Sequence, residues 1–87
     1  MQCISERQAK KLMEAGAVVL DVRSPAEYAQ GHIPRAINLP LDEITRAGAI
    51  VPDRDQPIVL YCSAGVRSAR AAAVLTAGGW TEPPGTG

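Results

Sequence analysis

The chain has 87 residues, enough for one small domain with a single core and short for an α/β sheet covered on both faces. Nine basic and nine acidic residues cancel and three residues are aromatic, which argues against a general nucleic-acid surface or a basic membrane patch and leaves a small molecule or a protein as the expected partner. Two cysteines, Cys3 and Cys62, do not make a disulfide framework, and the N-terminus has no apolar signal region or spanning segment, so a reducing, cytoplasmic setting is expected.

Taken in order, Gln2 to Ile4 is a candidate short strand. Ser5-Glu6-Arg7-Gln8 then has the S-x-x-Q form of a capping box, in which each side chain satisfies a backbone N–H at a helix start. The helix it opens carries Ala9, Leu12 and Met13 as its apolar stripe and stops at Gly16. Val18 to Val22 is a β-branched and leucine-rich run interrupted only by Asp21, the pattern of a strand buried on both faces. Asp21 inside that run reads as a buried hydrogen-bond anchor rather than a general base, because a carboxylate there needs partners.

Ser24-Pro25-Ala26-Glu27 repeats the capping logic, with proline at the first helical position. Gly31-His32-Ile33-Pro34 breaks that short helix, and Ala36 to Leu39 reads as a third strand between two prolines. His32, the only histidine, reads as a packing and loop-fixing residue. Asp42 caps a further short helix through Arg46, and Gly48 to Gln56 reads as a surface loop.

The stretch from Pro57 to Ser68 organises the rest. Ile58 to Tyr61 is a buried strand ending on Cys62, small residues and Arg67 follow, and Ala69 to Ala77 is an alanine-rich helix. A strand-to-helix turn of this kind aims backbone N–H groups at one point beside the positive end of the helix dipole, and Arg67 adds a positive charge, so Cys62 is expected to be acidic and nucleophilic. The plainer alternative is a small buried hydrophobe. Strands alternating with helices imply right-handed βα units and a parallel sheet, with the ligand site beyond the carboxyl ends of the strands. Arg23 and Cys62 should share that edge. The expected domain is residues 1–80, with 81–87 a loose tail.

Three separated motifs now resemble the rhodanese-like family of single-domain sulfurtransferases. They are Val19 to Arg23 with Glu27 and Tyr28; Gly31 to Pro34 with Ala36, Asn38 and Pro40; and Ile58 to Ser68. The resemblance implies a three-layer α/β fold, a small parallel sheet flanked by helices. It also implies a catalytic Cys62 that takes sulfane sulfur from a donor such as thiosulfate, holds it as a persulfide, and passes it to cyanide or a thiol. Ser63, Ala64, Gly65, Val66 and Arg67 would then form the loop that holds the persulfide, with Arg67, and secondarily Arg23, steering an anionic donor. A structural alternative for Arg23 is pairing with Glu27. The resemblance calls for no cofactor or metal.

Family members usually continue past Trp80 with a further strand lying between the first strand and the cysteine-bearing one. Here Pro83-Pro84-Gly85 follows instead, so the C-terminal strand reads as truncated and the sheet edge as a route to self-association. Two other functions compete. A cysteine-based phosphatase or arsenate reductase has a similar loop, but four residues between Cys62 and Arg67 make a shorter loop that favours sulfur. A non-catalytic binding module of the same fold is the other, and the presence of Cys62 argues against it.

Overall fold

The computed structural model describes residues 6–62 and 66–80; the candidate strand at Gln2–Ile4, Cys3, Ser5, the loop residues Ser63 to Gly65 and the tail from Thr81 lie outside the described residues. The elements are α1 (Glu6–Glu14), β1 (Val18–Asp21), α2 (Pro25–Gln30), β2 (Ile37–Asn38), a 3-10 helix (Leu41–Arg46) running into the single turn α3 (Ala47–Ile50), β3 (Ile58–Tyr61) and α4 (Val66–Ala77). None of the described helices is long and apolar enough to cross a membrane.

The three strands form a parallel sheet in the order β2-β1-β3, with Leu20 opposite Ile37 on one side and Leu60 on the other. Because side chains alternate across a strand, the continuous apolar runs feed two cores at once. Leu20, Val22, Ile58, Leu60 and Cys62 face one way, into a cluster closed by Ile44, Ala47, Ala71 and Leu75 from the 3-10 segment, α3 and α4, and by Trp80 just beyond α4. Val19 and Val59 face the other way, against Ala9, Leu12 and Met13 of α1 and against Tyr28 of α2. The result is the helix–sheet–helix layering that the sequence implies. Burying side chains such as Leu20 and Leu60 completely stabilises the fold by about 1.5–3 kcal/mol each.

Several boundaries differ from the sequence reading. β1 ends at Asp21 rather than Val22, and the segment through Arg46 is a 3-10 helix that starts at Leu41 with Pro40, not Asp42, at its cap and no side-chain cap bond. α4 begins at Val66 rather than Ala69, since Val66-Arg67-Ser68 contains no breaker and extends the helix towards the cysteine. α3 falls inside the stretch read as a loop, because burial of Ala47 against the core outweighs the low helix propensity of Gly48. The third strand keeps only Ile37 and Asn38, although the N–H of Leu39 still reaches the Asp21 carbonyl at 2.9 Å.

On its other side β3 has no strand partner among the described residues, yet Ile58, Val59 and Leu60 are 0% exposed. Between His32 and β2, Arg35 takes a left-handed backbone with φ of 71°. Holding a side chain there costs roughly 1–2 kcal/mol, and the turn returns the chain from α2 to the sheet at the register that places Asn38 beside Asp21.

Candidate active site

Backbone pairing continues past the strand ends. Val22 N–H donates to the Tyr61 carbonyl at 3.1 Å, and Leu41 N–H donates to the Val22 carbonyl at 3.2 Å. These bonds bring Val22 and Arg23, Cys62, and Pro40 to Asp42 to one edge, the carboxyl edge where open α/β sheets bind ligands.

Cys62 stands at that edge with 1% of its surface exposed, on the same sheet face as Ile58 and Leu60 and turned towards α4. The buried stripe of α4 is Ser68, Ala71, Ala72 and Leu75, spaced i, i+3, i+4 and i+7. That spacing directs Ser68 inward, and the Cys62 thiol donates to Ser68 Oγ at 3.3 Å. Once the thiol has lost its proton the same contact runs in reverse, with the hydroxyl donating to the sulfur and stabilising its charge.

Ser68 was not singled out from the sequence. The signal was there, since it is the one hydroxyl on an otherwise aliphatic stripe, six residues beyond the cysteine. Replacing Ser68 with Ala removes a hydrogen bond worth about 0.5–1.5 kcal/mol, so the apparent pKa of Cys62 should rise by roughly 0.5–1 unit. The pH dependence of iodoacetamide alkylation at Cys62 measures this directly, with Ser68→Thr expected to restore the midpoint. An unmoved midpoint in Ser68→Ala would mean that the hydroxyl only fills space.

The two arginines expected at this edge are both present, and both are engaged. Arg23 pairs with Asp21 rather than with Glu27: its Nε reaches both carboxylate oxygens at 3.0 and 3.1 Å and its terminal nitrogen reaches Oδ2 at 2.7 Å. Asp21 is fully buried and also accepts from the Arg23 N–H, so it is the hydrogen-bond anchor its position in the strand implied. Arg23 further donates to the Gly31 carbonyl and lies over the Tyr61 ring, 5.2 Å from its centroid. Its guanidinium pKa is raised, chiefly by the hydrogen bond to Asp21.

Arg67, at the start of α4, reaches across to α2 and grips Glu27 with both terminal nitrogens at 2.6 and 3.1 Å. Glu27 is itself half of a capping box. Its Oε1 accepts from the Ser24 N–H at 3.1 Å, while Ser24 Oγ accepts from the Glu27 N–H at 3.3 Å. The Arg67 hydrogen bond, and then the Ser24 N–H, pull the Glu27 carboxyl down to about 2. Arg67 in turn is raised by Glu27, with a further electrostatic contribution from Cys62.

A cavity of about 330 Å³ opens at this edge, lined by Val22, Ser24, Pro40, Leu41, Asp42 and Arg67. Val66 stands 60% exposed, one residue before Arg67. His32 stacks on Tyr28 with ring centroids 3.7 Å apart and bonds through Nδ1 to the Tyr28 carbonyl at 2.9 Å, while the Tyr28 hydroxyl ties down the Ala36 carbonyl. Those contacts are what a loop-fixing role requires. Ser63, Ala64 and Gly65, expected to complete the loop, lie outside the described residues.

A family model described as Rhodanese-like domain matches residues 5–84. The thiosulfate sulfurtransferase PspE of Escherichia coli is 39% identical over 69 residues, covering 78% of this chain and 66% of its own length. A sulfurtransferase of Allochromatium vinosum is 40% identical over 77 residues, covering 87% of this chain and 71% of its own length. The chain thus spans about two thirds of the length of these relatives. Among solved structures, a rhodanese with anions from E. coli superposes with a TM-score of 0.73 at 38% identity, covering 77% of this chain and 80% of its own.

Proposed function

The chain belongs to the rhodanese-like domain family, and on that premise we propose that it is a sulfurtransferase that carries sulfane sulfur on Cys62. The Cys62 thiolate attacks the outer sulfur of a donor such as thiosulfate. A sulfur–sulfur bond forms to Cys62 as the donor's own breaks, and sulfite leaves with the bonding pair. Cyanide or a thiolate acceptor then attacks the outer sulfur of the persulfide, the new bond takes that sulfur away as thiocyanate or an acceptor persulfide, and the Cys62 thiolate returns.

The observation that carries this reading is the placement of Cys62. It is a buried thiol at the carboxyl edge of a parallel sheet, at a strand-to-helix junction, with the Ser68 hydroxyl 3.3 Å from its sulfur. The relatives named as sulfurtransferases supply the chemistry that such a thiol performs. Asp21, Arg23, Glu27 and Arg67 hold the surrounding loops in place.

The test is direct. Incubation with thiosulfate should add the mass of one sulfur atom to the intact protein, removable by cyanide, and the addition should map to the peptide containing Cys62. A protein whose mass stays unchanged, with thiosulfate or with an organic persulfide, is not a sulfurtransferase.

A further inference from the structure

We infer that the cleft between α1 and the Pro34-Arg35 turn is a docking site for an acidic segment of a partner protein, held by Arg35 and Lys10 at the end of the sheet opposite Cys62. The site is separate from the thiol and does not depend on the sulfurtransferase reading.

Arg35 carries the argument. It is the one non-glycine among the described residues with a left-handed backbone, at φ of 71°, a conformation that glycine would take without the Cβ clash. Its guanidinium returns nothing to the fold, since it makes no hydrogen bond or ion pair with any described residue. Four other arginines are engaged: Arg23 by Asp21, Arg46 by Glu43, Arg67 by Glu27, and Arg54 by the Trp80 ring and two carbonyls. Arg35 instead lines a cavity of about 190 Å³ with Lys10, Met13, Glu14 and Pro34. Lys10 meets Glu6 at 3.9 Å with both side chains more than half exposed, a contact too weak to hold it.

Size and charge name the occupant. The cavity falls below the ~300–1,000 Å³ of small-ligand pockets, so it fits one or two side chains of a segment passing over it rather than a metabolite. Arg35 and Lys10 outnumber Glu14 on its walls, and exposed Arg7 and Lys11 extend the positive charge along α1. The excess is local. Between Asp42 and Asp55, where the helices pack on the other sheet face, Asp42, Glu43, Asp53 and Asp55 outnumber Arg46 and Arg54. A molecule of zero net charge thus presents this face as positive, and the vacant Arg35 fork offers a carboxylate two parallel N–H donors. The cleft lies where α1 ends and the chain enters β2, at the amino edge of the parallel sheet, so a docked segment leaves Cys62 open at the carboxyl edge.

The experiment uses the full chain labelled with nitrogen-15, titrated at low ionic strength with a capped hexaglutamate peptide and, separately, with capped hexalysine. Hexaglutamate should move the amide signals of Lys10 to Glu14, Arg35 and Ala36, and hexalysine should leave them in place. Arg35→Gln should weaken the binding about tenfold and Lys10→Gln about threefold, while Glu14→Gln, which removes the carboxylate on the wall, should tighten it about threefold. Added salt should weaken it in every case, because these charges are exposed. Arg35→Gly should lose the peptide as Arg35→Gln does, yet gain about 2–5 °C in thermal midpoint, because glycine relieves the left-handed turn. Arg46→Gln, in the acidic segment, should bind as the unaltered protein does. Absent shifts, or shifts that Arg35→Gln leaves undiminished, overturn the inference. So does a fall in the midpoint of Arg35→Gly, which would give the side chain a role in folding. A salt-sensitive dimer that Arg35→Gln dissolves would assign the cleft to a second copy and overturn it as well. Alkylation of Cys62 by iodoacetamide should keep its rate with hexaglutamate bound, and a slower rate overturns the separation of the two sites.

Discussion

Cys62→Ser is expected to lose sulfur transfer completely, with thiocyanate production from thiosulfate and cyanide falling at least ~1,000-fold, to the uncatalysed background. A serine hydroxyl at neutral pH has neither the ionisation nor the polarisability to accept sulfane sulfur, so no covalent intermediate forms and both half-reactions stop. The fold should survive the change. The side chains differ little in volume, and Ser68 at 3.3 Å offers the new hydroxyl a partner in place of the thiol. Circular dichroism and the thermal midpoint separate loss of chemistry from loss of structure. Cys3→Ser, by contrast, should keep its activity, since in the sequence only Cys62 ends an apolar run that leads through small residues and an arginine into an alanine-rich helix. Equal losses from the two changes would sink the assignment.

The second large effect is on stability, from Asp21→Ala. Asp21 is fully buried in the central strand and makes four hydrogen bonds with Arg23, one to its N–H and three to its guanidinium. Removing it strands a largely buried cation at the edge of the core, a loss of the kind that costs about 3–5 kcal/mol. A native domain has only ~5–15 kcal/mol in total, so the variant should be partly unfolded or close to it at 37 °C. Urea titration measures the shift. A change below ~1 kcal/mol would mean that Arg23 finds water or another acceptor as readily as Asp21.

Much of this architecture is legible in the sequence because burial writes itself as uninterrupted apolar runs. Val18–Asp21 and Ile58–Tyr61 pair as β1 and β3 with no register ambiguity, and the alternation that divides their side chains between two cores needs apolar residues at every position. The cysteine was equally legible, as the residue where such a run meets a helix. Pairing among charged side chains was not.

Arg23 precedes α2 by two residues and has Glu27 four residues on, which imitates a helical i, i+4 pair. The chain is extended through Ser24, and Arg23 folds back onto Asp21 instead. The Arg67–Glu27 contact spans 40 residues and depends on how α4 and α2 meet over the sheet edge, which no local pattern encodes. Ser68 was hidden because a serine in an alanine-rich helix looks interchangeable with its neighbours until the helix is rotated into place.

Glu27 gives the molecule an acid fuse. One carboxylate closes the cap of α2 and anchors the first turn of α4, so a single protonation releases two elements that flank Cys62. Its folded pKa of about 2 lies below the ordinary 4.5. The stabilisation it supplies is therefore fully present above pH 4.5 and is lost as the pH falls from there through 2. The gap in urea midpoint between the unaltered protein and Glu27→Gln should be widest near neutrality and close across that window, and a gap that stays constant to pH 2 would refute the linkage. Acid would then loosen the cap of α2 and its tie to the first turn of α4 together.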